Sequence, residues 1–177
     1  MKERHEEDAA VTTPVKRGAA ALVVLMLILV AHAADGGAAK DLGNITDLQV
    51  VIGDLSSSEQ KEGITADRLK AEVVGQLKAK MPRARIADAA SDRLYLRLTV
   101  LQTETAGGSR LGYCGAIGLK LYREVTVLAT GSMTSAVIWE DGVILNGPVG
   151  DASSHVTRAI AALVASFAVA YYGAGNP

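Results

Sequence analysis

One cysteine, three histidines, four prolines and few aromatics (five Tyr, one Trp, one Phe) are spread over 177 residues. Each shortage removes a class of explanation. A lone Cys114 cannot form an intramolecular disulfide, so a folded domain must hold together by core burial. Acylation of a cysteine at an export cleavage site is excluded as well, because Ala34 stands there and Cys114 is far downstream. Two histidines, His5 and His32, lie in the first 33 residues, leaving His155 alone beyond them. One histidine and one cysteine cannot assemble a zinc site of the usual kind.

Charge of one sign is also missing. The net charge is −1 at pH 7, and no block of Lys and Arg marks a nucleic-acid footprint or a polybasic membrane patch. No G-x-S-x-G, H-E-x-x-H or D-x-D-x-D-G pattern occurs. Gly112-x-x-Gly115-x-x-Gly118 imitates a phosphate loop, but a strand follows it where a dinucleotide fingerprint needs a helix. Close backbone packing or a bulge accounts for these glycines better. No cofactor is expected.

The apolar run that is present lies near the N-terminus. Lys16 and Arg17 precede a stretch from Gly18 to Val30, closed by Ala31-His32-Ala33. A basic flank, an apolar core and an A-x-A tripeptide form the layout of a secretory signal. Residues 1–33 are therefore read as a signal peptide or, if uncut, a signal-anchor. Its functional residues are Lys16, Arg17, Ala31 and Ala33. A retained segment 18–34 would be the only membrane contact, and the chain is expected to be exported, either periplasmic or anchored to the inner membrane. A Gly/Ala-rich stretch, 34–46, reads as a flexible tether. It contains the sequon Asn44-Ile45-Thr46.

Residues 47–177 read as a single α+β domain. Leu48–Gly53 is a β-branched run expected as a buried strand, followed by a polar loop at Ser56-Ser57-Ser58. Thr65 caps a helix whose Leu69, Val73, Leu77 and Met81 recur at helical spacing until Pro82. A short strand around Ile86 precedes Leu94–Thr103, which alternates cleanly. Leu119–Val127 alternates as well, with Arg123 on the apolar side, which implies a bulge, a twist or a strand end. Residues 129–132 are a hairpin turn, and Met133–Trp139 returns. Asp141-Gly142 is a turn signal of the primed type, before a last strand Val143–Leu145. Val156, Ile160, Leu163, Val164, Phe167 and Tyr171 make the apolar stripe of a final helix. Its continuous run, Ala159–Tyr172, is too short to span a bilayer. The order implies a mainly antiparallel sheet of four to five strands with two helices packed on one face.

Cys114 sits in apolar surroundings and is expected to be buried and inert. Tyr95, Tyr122 and Trp139 fall on neighbouring strands. If they share the face turned away from the helices they form an aromatic patch suited to a partner, although Trp139, ending an apolar strand, fits the core equally.

Trp139 near the end of a late strand, Phe167-Ala-Val-Ala-Tyr171 in the last helix and the closing Asn176-Pro177 resemble a class of uncharacterised small exported bacterial α+β domains. More distantly, the layout is similar to accessory domains of envelope transport and lipoprotein-handling assemblies. That resemblance implies binding without catalysis. The expected function is a non-catalytic envelope or periplasmic domain acting by protein contacts, with an envelope protein as partner. Self-association through the small-residue face of the C-terminal helix is a further option. Two alternatives stand beside it: a small-ligand-binding periplasmic protein using a groove near Gly107–Gly118, and an enzyme with an unrecognised site.

Overall fold

The computed structural model describes residues 42–176. Lys16, Arg17, Ala31 and Ala33, with the rest of the export segment, lie outside the described residues. Eight elements follow in order: β1 (Asp47–Ile52), α1 (Ser57–Lys61), α2 (Ala66–Lys80), β2 (Arg85–Ile86), β3 (Asp92–Glu104), β4 (Arg110–Thr126), β5 (Met133–Pro148) and α3 (Ala152–Gly173).

The five strands form one sheet in the order β2-β1-β3-β4-β5. It is mixed, where the sequence pattern suggested a mainly antiparallel one. β1 runs parallel to both β2 and β3, and only the β3-β4-β5 meander is antiparallel. The reason is connectivity: β1 leaves through two helices rather than a tight turn, and a crossover of that kind delivers the next strand parallel.

Two further corrections concern local signals. Ser56–Ser58 opens a third helix rather than a loop. Ser56 caps α1 by accepting the N–H of Ser58 at 3.1 Å, and its hydroxyl donates to the Glu59 carboxylate. The sequence Ser56-x-x-Glu59 is a capping box, a signal readable in advance. Asp141-Gly142 lies in mid-strand: Gly142 is paired with Gly118 and Asp141 with Leu119. A turn there would leave the first half of the long β4 without its outer neighbour, and ladder pairing overrides the local preference. The hairpin turn after Val127 forms as expected, with Gly131 at φ 68°.

Alternation decides what is buried. Leu94, Leu96, Leu98 and Val100 of β3 join Ile117, Leu119 and Leu121 of β4 and Leu48 and Val50 of β1 in one core. α2 and α3 cover this face and pack on one another. α2 contributes Leu69, Val73 and Leu77. α3 has 22 residues, longer than the apolar run in the sequence and by length and composition enough to cross a membrane. Its stripe from Val156 to Tyr171 is instead buried in the domain.

Both ends of the described chain are fastened together. Leu42 and Ile45, placed by sequence in the tether, are buried. The Asn176 side chain donates to the carbonyls of Leu42 (2.7 Å) and Tyr171 (3.0 Å) and accepts the Ile45 N–H at 3.3 Å. Asn44, the sequon asparagine, is exposed in a left-handed turn at φ 62°.

Candidate functional site

With α2 and α3 on one face, the opposite face of the sheet carries no helix among the described residues. Strand pairing lays its residues out in rows, because directly opposed residues point the same way. One row is Thr99, Ala116, Ile144; the next is Arg97, Gly118, Gly142; the third is Tyr95, Lys120, Glu140. Leu101, Cys114 and Asn146 form a further row beyond Thr99. Two large apolar side chains stand in the open there, Leu101 at 59% and Ile144 at 83% exposure. The strip between them is lined by small residues.

The aromatic residues singled out by sequence divide between the two faces. Tyr95 and Tyr122 meet edge to face on the open side, ring centroids 6.0 Å apart. Tyr95 also lies over Gly53, where any Cβ would collide with its phenol. Trp139 is on the other side, buried, with its ring 5.0 Å from that of Phe167. The three-residue patch is thus a two-residue patch. The register explains it: Trp139 pairs with inward-facing Leu121, and a bulge at Ile138 then brings Val137 opposite Tyr122. Val137, 42% exposed, takes the place beside Tyr122 on the open face.

The extra residue is on β5, between the Leu121–Trp139 and Tyr122–Val137 pairs, so Arg123 keeps its place on the inward side of β4. Arg123 is accommodated there by pairing with Asp92. Its guanidinium donates Nε to Asp92 Oδ1 at 2.6 Å and Nη2 to Asp92 Oδ2 at 3.1 Å. Nη1 reaches the Gly43 carbonyl at 3.3 Å. Asp92 is buried, so this fork-to-fork pair compensates its desolvation.

Charge in these rows lies on Arg97, Lys120 and Glu140, with Arg93 in the row of Tyr122. Lys120 and Glu140 form an ion pair at 2.6 Å. The hydrogen bond from Lys120 to Glu140, and then the attraction of that carboxylate, hold the ammonium above its ordinary range. Arg93 bonds the Ser135 hydroxyl at 3.1 Å. Cys114 corrects the sequence reading, since it is exposed. Tyr113 turns inward as the core residue of that pair, so its neighbour must turn outward.

A second polar group lies at the far end of β4. Tyr113, buried, has its hydroxyl on Nδ1 of His155. Gly147 closes over both rings, leaving no room for a Cβ. Burial, followed by the charge of Asp151, pushes the Tyr113 phenol above its usual range. Nearby, Glu62 accepts from Gln102 at 3.1 Å and pairs with Arg110. Among the described residues no three His, Cys, Asp or Glu side chains converge as a metal site would require. The glycines of the phosphate-loop imitation serve strand contact: a Cβ on Gly112 would strike the Gly147 carbonyl and one on Gly115 the Thr99 carbonyl.

No family model matches the chain, and no curated protein sequence matches it. Similar solved structures include the PelC dodecamer from Paraburkholderia phytofirmans, at 16% identity and a TM-score of 0.44, covering 68% of this chain and 86% of that one. A minor lipoprotein from Acinetobacter baumannii is similar at 11% identity and a TM-score of 0.37, over 70% of this chain and 88% of its own.

Proposed function

We propose that this chain is an exported bacterial envelope domain that binds another protein through the open face of its sheet and has no catalysis of its own. The export layout of residues 16–34 supports the compartment. The observation that carries the binding role is the strip between Leu101 and Ile144, where large apolar side chains remain exposed beside Gly118, Gly142 and Ala116. Small residues make such a surface flat, and a partner's side chains can approach the backbone closely. β5 adds to it, because the sheet order leaves it an edge strand of 16 residues. An edge of that length can accept an added strand.

The test places a photo-crosslinking residue at Ile144 in cells. A discrete adduct that disappears with Leu101→Glu supports the reading, provided the variant keeps its thermal midpoint. Crosslinking indistinguishable from that of a probe at Lys70, on the exposed side of α2, counts against it. An adduct of twice the chain mass would identify the partner as a second copy.

A further inference from the structure

The two ends of the sheet differ in chemistry. At one end the β3–β4 hairpin turns through residues 105–109, with Glu104, Arg110 and Glu62 around it, a polar and charged tip. At the other end the β4–β5 hairpin turns through 127–132. From Val125 to Trp139 the sequence has no ionisable side chain. Among the described residues, the strand ladder joins 123–126 to 133–136 alone, beyond the last pairing of β4 with β3 at Arg93. The hairpin therefore projects past the sheet by about four residues, roughly 13 Å. Leu128 at its tip is 97% exposed and Met133 67%, with Val127 beside them at 38%. The tip is held in shape by the Val127 N–H on the Ser132 carbonyl (2.8 Å) and the Gly131 N–H on the Val127 carbonyl (2.8 Å).

Position gives this tip its meaning. Arg123, at the base of the hairpin, bonds the Gly43 carbonyl, so the chain enters the domain beside it. Seven residues, 35–41, separate the apolar run ending at Ala34 from Leu42, and seven residues reach at most about 24 Å. The same end of the sheet carries the C-terminus of α2, where the Lys80 carbonyl accepts from Tyr172, and the start of β2. Lys78, Lys80, Arg83 and Arg85 are exposed there; Arg85 pairs with Asp47 at 3.2 Å, and Glu124 is an exposed acid at the hairpin base. An uncharged apolar tip at the β5 edge, with cations toward the β2 edge of the same end, fits a bilayer with anionic headgroups: the side chains enter the interface and the cations meet the phosphates.

We propose that the β4–β5 hairpin tip, led by Leu128 and Met133, inserts into the surface of the bilayer, so that the domain stands on the membrane with its open sheet face directed sideways. The inference shares the export reading of residues 16–34, and the experiment separates the two. The full chain, with Cys114→Ser, carries a single environment-sensitive fluorophore on a cysteine at Leu128, at Leu25 within the apolar run, or at Gly107 on the opposite hairpin. Each is reconstituted with vesicles of phosphatidylethanolamine and phosphatidylglycerol, 3:1. The expected result is a blue-shifted emission at position 128, quenched by lipid-borne nitroxide, with position 107 remaining water-like. A water-like signal at 128 overturns the proposal; if position 25 is still quenched, the membrane role of the apolar run survives that failure. Quenching at all three positions overturns it too, as it would mean adsorption without orientation. Quenching at 128 but not at 25 supports the tip and removes the anchor. Met133→Asp is expected to lower the quenching at 128 while the unfolding midpoint in urea stays unchanged.

Discussion

The Glu59 carboxylate accepts the backbone N–H of Val100 at 2.7 Å, which lets a helix of five residues complete the edge of β3 where β1 has ended. The last link from the β1 side is the Gly53 N–H on the Leu96 carbonyl. Beyond it, Val100 would be a buried donor without a partner, and Glu59 supplies one. Burial by itself would raise the Glu59 pKa; the hydrogen bonds from Ser56 and Val100 outweigh it and leave the pKa below its ordinary 4.5.

That direction sets a pH dependence. A carboxyl whose folded-state pKa is depressed contributes stability above its unfolded value, and the contribution is lost as pH falls from 4.5 through the lower folded value. Glu59→Gln should cost roughly 1–2 kcal/mol at pH 7. The gap between variant and wild type should narrow below that range, as read from urea unfolding across pH. A pH-independent gap would mean that the charge has no part in the contact.

Asp92, at the start of β3, is held by Arg123. Removing one member of a buried, forked pair leaves the other's charge to be solvated by what remains. Asp92→Ala should lower stability by about 3 kcal/mol. The amides of residues 42–45 should also exchange with deuterium faster, because Arg123 holds the Gly43 carbonyl.

Trp139 and Tyr122 should separate in their effects although they lie on neighbouring strands. Trp139→Ala opens a cavity against Phe167 and should cost about 3–5 kcal/mol. Tyr122→Ala loses an edge-to-face contact on the open face and should cost about 1 kcal/mol. Denaturant midpoints of the two variants decide it, and equal losses would contradict the assignment of faces.

Gly115 and Gly118 offer a similar contrast. A methyl on Gly115 meets the Thr99 carbonyl and forces the β3–β4 ladder to shift, a cost of about 1–3 kcal/mol. A methyl on Gly118 finds the Asp141 carbonyl at 3.7 Å, an ordinary contact. Gly118→Ala should stay within about 0.5 kcal/mol of wild type. Thermal midpoints of the two variants provide the comparison.

Periodicity alone determined much of this protein. The alternation of Leu94, Leu96, Leu98 and Val100 set the inner face of β3, and the spacing of Leu69, Val73 and Leu77 set the buried stripe of α2. Both are local properties, fixed by 2.0 and 3.6 residues per repeat and readable without knowing the neighbours. Tertiary structure decided what depends on partners distant in sequence. The parallel placement of β1 follows from a crossover whose strand order no local pattern records. Asp141-Gly142 is a strand because β4 needed a partner along its length, and Cys114 is outside because Tyr113 took the inside. The division of Tyr95 and Tyr122 from Trp139 rests on a single bulged residue, Ile138, which moves every side chain before it to the other face. The candidate binding face was therefore half visible in the sequence: its aromatic pair could be named, while the exposed Leu101 and Ile144 became a surface only when the helices settled on the opposite side.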